Sequence, residues 1–213
     1  MNSDPLGASA PRIAFADADL LIVSKPAGLL SVPGRLPENQ DNLTGRLQAI
    51  YPDTLNVHRL DQVTSGLMVY ARNKAAQAAL SRQFALRQVD KRYTALLQGW
   101  VEQDAGEVQL PLICDWPNRP RQIVHHELGK AAHTRWRVLD RDAAKQQSRI
   151  ELEPITGRSH QLRVHMAEIG HPIVGDDFYG AAPAARVMLH ASFLSLTQPS
   201  TGQRLSWREE PDF

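Results

Sequence analysis

Strand-forming runs outnumber helical patterns along this chain of 213 residues, and that imbalance limits the fold more than any other feature. Asp19 to Ser24 (DLLIVS) reads as a buried strand that stops at Lys25-Pro26. Leu67, Val69 and Ala71 alternate with Met68 and Tyr70, and Lys91 to Val101, Ala132 to Leu139 and Arg149 to Ile155 are β-rich segments separated by turns or charges. A last pair of strands is expected around Val187 to Leu196 and Arg204 to Trp207. Helical spacing is confined to Leu43, Leu47 and Ile50 behind a cap at Asp41 or Asn42, to Ala76, Leu80 and Phe84 behind Asn73, and to Leu162, Met166 and Ile169 behind Ser159, closed by Gly170. The expected class is α+β. Residues 1–12 lack apolar periodicity and are expected to form a disordered lead-in, with one domain over residues 13–213 and no linker long enough to divide it.

Composition narrows the function classes. The single cysteine, Cys114, makes no intramolecular disulfide and supplies no structural zinc cluster, which fits a reducing, cytoplasmic setting. The apolar run Leu20 to Val23 is far below the roughly 18 residues of a membrane span, and MNSDPLGASAPR has no basic segment followed by an apolar one. Net charge is +1, which argues neither for nor against nucleic acid, but the charge is segregated. Ala71 to Ala95 holds six basic residues against one acidic, and Asn118 to Arg141 six against two, while Met1 to Val57 is mildly acidic. On charge alone, two basic stretches are more often a solvated surface than a phosphate track.

Chemistry concentrates in His58-Arg59-Leu60-Asp61 with Thr64-Ser65-Gly66, in Lys91-Arg92-Tyr93, and in Gly157-Arg158-Ser159-His160-Gln161-Leu162-Arg163-Val164-His165. Each residue alone has a plainer use: a loop Asp caps turns, a strand Tyr packs, and an Arg in a first helical turn pairs at the surface. Spacing removes several readings. His160 and His165 are five apart, which is not the i, i+4 pair of a metalloprotease helix. Gly129-Lys130 is no phosphate loop because Val124 stands where a Gly is needed, and no Gly-x-Ser-x-Gly elbow supports a hydrolase.

The run HRLDQVTSGLMVYARN resembles the signature of the RluA family of pseudouridine synthases. Lys25-Pro26-Ala27-Gly28 with Val32-Pro33-Gly34 is similar to the family's first loop, Lys91-Arg92-Tyr93 to its Lys-x-Tyr strand, and Gly157 to His165 to its Gly-Arg-x-His-Gln-Leu-Arg-x-His segment. Gly175-Asp176-x-x-Tyr179-Gly180 and Leu189-His190-Ala191 resemble its closing motifs, all in family order. Only two dozen residues precede the first motif, so the expected architecture is the short one, without the S4 RNA-binding domain of longer members.

The resemblance implies a mixed, largely antiparallel sheet with a central catalytic cleft flanked by helices and loops. It implies conversion of uridine to pseudouridine in RNA, with Asp61 as nucleophile at the ribose or the uracil ring, Arg163 as its ion-pair partner and Tyr93 against the uracil. Arg59 would enter the RNA where the base has left, and His58, Arg72, Lys91, Arg92, Arg158 and His160 join it as expected RNA contacts. The isomerisation involves no redox change and loses no group, so neither cofactor nor metal is expected. The expected partner is the anticodon stem-loop of tRNA, a hairpin of large-subunit rRNA, or both, met by a cytoplasmic monomer. Another uridine or RNA, a non-catalytic RNA-binding protein and an unrelated hydrolase are the rival readings.

Overall fold

In chain order the elements are β1 (Arg12–Ala16), β2 (Leu20–Lys25), α1 (Leu43–Gln48), β3 (Leu55–Asn56), β4 (Ser65–Ala71), α2 (Lys74–Ala85) and β5 (Asp90–Gln98). There follow β6 (Ala105–Val108), β7 (Leu112–Cys114), β8 (Gln122–Val124), β9 (Thr134–Asp142), β10 (Gln147–Pro154), α3 (Gln161–Glu168), β11 (Leu189–Thr197) and β12 (Arg204–Arg208). The computed structural model describes residues 11–34, 36 and 40–213. Most of the expected lead-in lies outside these, and Arg12, its last residue, already opens a strand.

The continuous apolar run of β4 reflects burial on both faces. Leu67, Val69 and Ala71 pack with Ala76 and Leu80 of α2, whereas Met68 and Tyr70 pack with Leu43 and Leu47 of α1. Asn42 and Asn73 cap these helices as expected, accepting hydrogen bonds from the Gly45 and Ala76 N–H groups. α1 ends at Gln48, short of the expected extent, and Ile50 stands 46% exposed beyond it. A second core on the other side gathers Leu97 of β5, Ile150 and Leu152 of β10, and Leu162 and Met166 of α3.

The sheet runs β1-β2-β4-β11-β5-β10-β9-β6, with β12 on β11 and β3 on β4, and β7 and β8 form a separate hairpin. Every pairing is antiparallel except β4 with β11, which is parallel and joined only at His190↔Ser65 and Ala191↔Gly66. The sheet is therefore mixed and largely antiparallel, as expected. Its two halves meet at that short parallel seam, immediately after the Asp61 loop.

Gly66 is what allows the seam to close. Its φ is +108°, and an added Cβ would stand 2.4 Å from the Ala191 carbonyl oxygen. Gly66→Ala is expected to cost about 3 kcal/mol through overpacking and backbone strain. Chemical denaturation would read this, and a loss below about 0.5 kcal/mol would contradict a close approach at this point.

α3 departs from the expected cap. His160, not Ser159, stands before the helix, with φ +51° and no capping bond from its side chain. The turn is fixed instead by the Gln161 side-chain oxygen, which accepts from the Arg158 N–H at 3.0 Å and the Thr156 hydroxyl at 2.6 Å. The His160 ring is thus left for the cleft.

Candidate active site

Asp61 lies in the loop between β3 and β4, and its neighbours are fastened from behind. Ser31 Oγ accepts from the Leu60 N–H at 3.1 Å and donates to the Leu60 carbonyl at 2.7 Å. Two residues on, Gln62 O accepts from Gly28 N at 2.8 Å and from Lys25 Nζ at 3.0 Å. Lys25 is fully buried and also donates to Pro26 O and Leu29 O. Burial pulls its pKa down to about 7, opposed by Asp61. Three carbonyl acceptors are all satisfied only by –NH3+, so the charged form completes the knot. The first-loop motif of the sequence thus holds the backbone next to Asp61.

The Asp61 side chain is 25% exposed and faces two groups from the α3 segment: Arg163 Nη1 at 3.7 Å and His160 Nε2 at 4.0 Å. The ion pair expected between Asp61 and Arg163 is present, but the guanidinium fork belongs to another residue. Arg163 Nε and Nη2 donate to the two oxygens of Asp176 at 2.6 and 2.7 Å. Both side chains are buried, at 4% and 0% exposure. Burial opposes the charge on Arg163, and the Asp176 hydrogen bonds and the two carboxylates raise its pKa in spite of it. Asp176 therefore orients the cation, and a free Nη1 edge reaches Asp61.

Tyr179 carries the arrangement outward. Its phenol oxygen accepts from the Gln122 N–H of β8 at 3.0 Å and lies 2.7 Å from His160 Nδ1. Burial lowers the His160 pKa, partly offset by Asp61, which favours the neutral imidazole. When Tyr179 donates to Nδ1, the ring proton is on Nε2, directed towards Asp61. Asp176 and Tyr179 were visible only as members of the Gly175 to Gly180 motif, without a role.

The cavity above Asp61 measures about 300 Å³, at the lower end for small-ligand sites. Its walls bring together Asp61, Tyr93 and Arg163 with His58, Arg59, Lys91, Arg158 and His160. Arg59 is exposed at its rim. His58 is no cation: its Nε2 accepts from the Val69 N–H at 3.1 Å, its ring stacks on Phe84, and burial with Lys91 nearby pulls its pKa down to about 3.

Two expected contacts do not join the cleft. Arg92 points to the opposite face of β5 from Lys91 and Tyr93, towards Glu151 at 3.7 Å and the Phe193 ring, as the two-residue period of a strand requires. Arg72 leaves the far end of β4, where Asp53 at 3.0 Å, the Asp17 carbonyl and the Tyr51 ring engage it. Among the described residues no three His, Cys, Asp or Glu side chains gather as a metal would need.

Burial raises the pKa of Tyr70 and Tyr179 to about 12 and raises that of Tyr93 as well, there with help from Asp61. The folded protein keeps these phenols protonated above pH 10, where an unfolded chain releases the protons. The unfolded state then binds fewer protons, so stability is full below pH 10 and falls as pH rises towards 12. Denaturation midpoints from pH 8 to 12 test this; a midpoint that holds constant to pH 12 would contradict it.

A partly exposed carboxylate faces a buried, oriented cation in a cleft between the halves of a mixed sheet, and the comparisons place this fold. The pattern of the RNA pseudouridylate synthase family matches residues 19–168. The structure of human RNA pseudouridylate synthase domain containing 1 is similar with a TM-score of 0.81 and 29% identity, over 100% of this chain and 87% of that one. The chain belongs to the RluA family of RNA pseudouridine synthases, and is an isomerase. It is 49% identical to the dual-specificity RNA pseudouridine synthase RluA of Escherichia coli (strain K12), over 94% of this chain and 93% of that protein. The protein of the same description from Vibrio vulnificus is 53% identical over 89% of this chain and 79% of its own length. No helix among the described residues is long and apolar enough to cross a membrane.

Proposed function

We propose that this enzyme isomerises a uridine in the anticodon stem-loop of tRNA and a second in a similar hairpin of large-subunit rRNA, with Asp61 as its nucleophile. The observation that carries the reading is the Asp61 carboxylate, facing a one-base cavity with Arg163 Nη1 at 3.7 Å and Tyr93 in the wall. Attack by Asp61 on the ribose or on the uracil ring breaks the glycosidic C–N bond, the turned uracil rejoins through C5, the bond to Asp61 breaks, and the proton that leaves C5 is matched by one gained at N1. Tyr93 lies against the base and assists that proton's departure. No electron is gained or lost, so the reading includes no cofactor.

The target uridine leaves its stack at a cost of a few kcal/mol. Arg59, exposed at the rim, fills the gap in the RNA, while Lys91 and Arg158 meet phosphate. His160 holds the Asp61 side, and His58 supports the wall without charge. The cleft is complete within one chain, which suits a monomer, and the setting proposed is the cytoplasm. Two RNA targets accord with the dual specificity in the relatives' names.

The test uses uridine-labelled RNA. An isolated anticodon stem-loop is expected to yield pseudouridine, and a fully paired duplex of the same sequence to react at least about tenfold more slowly, because pairing opposes extrusion. Comparable rates on both would overturn recognition by loop shape. Retention of the stem-loop without conversion would overturn the catalytic roles.

A further inference from the structure

The cleft does not end at the wall formed by Lys91 and Arg158. Beyond them lies a second hollow of about 460 Å³, bounded by the end of α2, the start of β5 and the β10–α3 turn. Phe84, Lys91, Thr156 and Arg158 face both spaces, so the two are one groove with a narrowing. Val89 and Ile155 supply apolar lining.

Its charges are unevenly spent. Asp90 is held by Arg204 at 2.6 Å, and Glu153 stands 4.0 Å from Arg135. Lys91 is half-buried, yet among the described residues it has no carboxylate within ion-pair distance and rests 5.8 Å from the Phe84 ring centroid. Arg158 uses only Nε, which donates to Ala131 O at 3.1 Å. A poorly hydrated ammonium without a counter-ion is costly, and an arriving anion relieves the cost.

Arg87 adds an independent sign. α2 ends with Arg87 N–H bonded to Phe84 O and Gln88 N–H to Gln83 O, a double closure whose left-handed residue is ordinarily glycine. Here it is an arginine at φ +58°. Its exposed side chain has no hydrogen-bond or ion-pair partner among the described residues and stands at the rim of the hollow. Backbone strain is thus retained to place a free guanidinium beside two other uncommitted cations.

We propose that this second hollow is a subsite for the nucleotide adjoining the target uridine, with Arg87, Lys91 and Arg158 holding the flanking phosphodiester. The proposal rests on the RNA reading of the first cavity. A base turned into that cavity remains covalently tied to its neighbours, so one adjoining nucleotide must lie along the groove. Its phosphate then meets the unpaired cations and its sugar the apolar lining. Anchoring the backbone on one side of the target contributes to binding before the chemistry begins, so its loss raises KM and leaves kcat unchanged.

Arg87→Gly separates this role from a structural one, because glycine relaxes the left-handed position. The variant is expected to unfold at a higher denaturant midpoint than the parent while its KM for the stem-loop rises about tenfold and its kcat stays within about twofold. Stem-loops with an uncharged methylphosphonate at either linkage flanking the target locate the contact. At one linkage the neutral group should raise the KM of the parent enzyme about tenfold and that of Arg87→Gly by clearly less, since only Lys91 and Arg158 still meet that phosphate there. Unchanged KM in Arg87→Gly, or full additivity at both linkages, would overturn the subsite while leaving the synthase reading intact. Absence of pseudouridine with the parent enzyme on every RNA would overturn the synthase reading and the subsite with it.

Discussion

Asp61→Asn and Asp61→Ala are expected to lower turnover by at least about a thousandfold while RNA affinity stays within about tenfold. In the proposed role the carboxylate acts on the reacting nucleoside and contributes little attraction to a polyanion; removing its charge even relieves some repulsion with phosphate. Neither substitution should disturb the fold, because the loop is held through the backbone of its neighbours by Ser31, Gly28 and Lys25. Single-turnover assays with saturating RNA, beside a retention assay, separate the two quantities. Near-parental turnover in Asp61→Ala would remove Asp61 from its role.

Asp176→Ala should be the most damaging change to stability in the cleft, at about 3–5 kcal/mol, because it leaves Arg163 as a buried cation without its fork. Turnover should fall as well, since the guanidinium loses the partner that aims Nη1 at Asp61. The double variant Arg163→Met/Asp176→Leu tests the two effects apart. Apolar groups of similar volume remove the stranded charge, so much of the stability should return while turnover stays low. Recovery of activity with stability would mean that the pair serves the core alone. Arg163→Lys should also be severely impaired, because an ammonium cannot make both bonds to Asp176 and still reach Asp61.

The elements most legible in the sequence were those whose local signals agree. β2 and β4 are continuous apolar runs, and Asn42 and Asn73 announce helices that the structure starts at the next residue. β3, β6, β7 and β8, of two to four residues each, were not foreseen, because so short a strand is defined by its partner rather than by its own pattern. Asp61, Tyr93 and Arg163 were identified through motif resemblance, but their convergence is a tertiary fact. Asp176 was harder: an acid after a glycine reads as a turn residue, and its burial depends on the packing of the Asp177–Tyr179 turn against α3. Arg92 had a readable sign that the motif resemblance overrode. With Lys91 and Tyr93 on one face of a strand, Arg92 had to lie on the other.

The two-pair seam at Gly66 and Ala191 also sets the order in which the protein fails. Asp61 hangs from one side of it and Tyr93 lies on β5, on the other, so the proposed catalysis depends on the alignment of the halves. Helix content divides at the seam, with α1 and α2 packed on β4 and α3 packed with β5 and β10, so a slight shift there disturbs the site before the helices, although Ala191, Leu194 and Leu196 of β11 join the apolar clusters of the β4 side. The enzyme's working lifetime is therefore expected to be shorter than that of its secondary structure: a sample warmed or stored until inactive should still show the circular dichroism of the fresh protein.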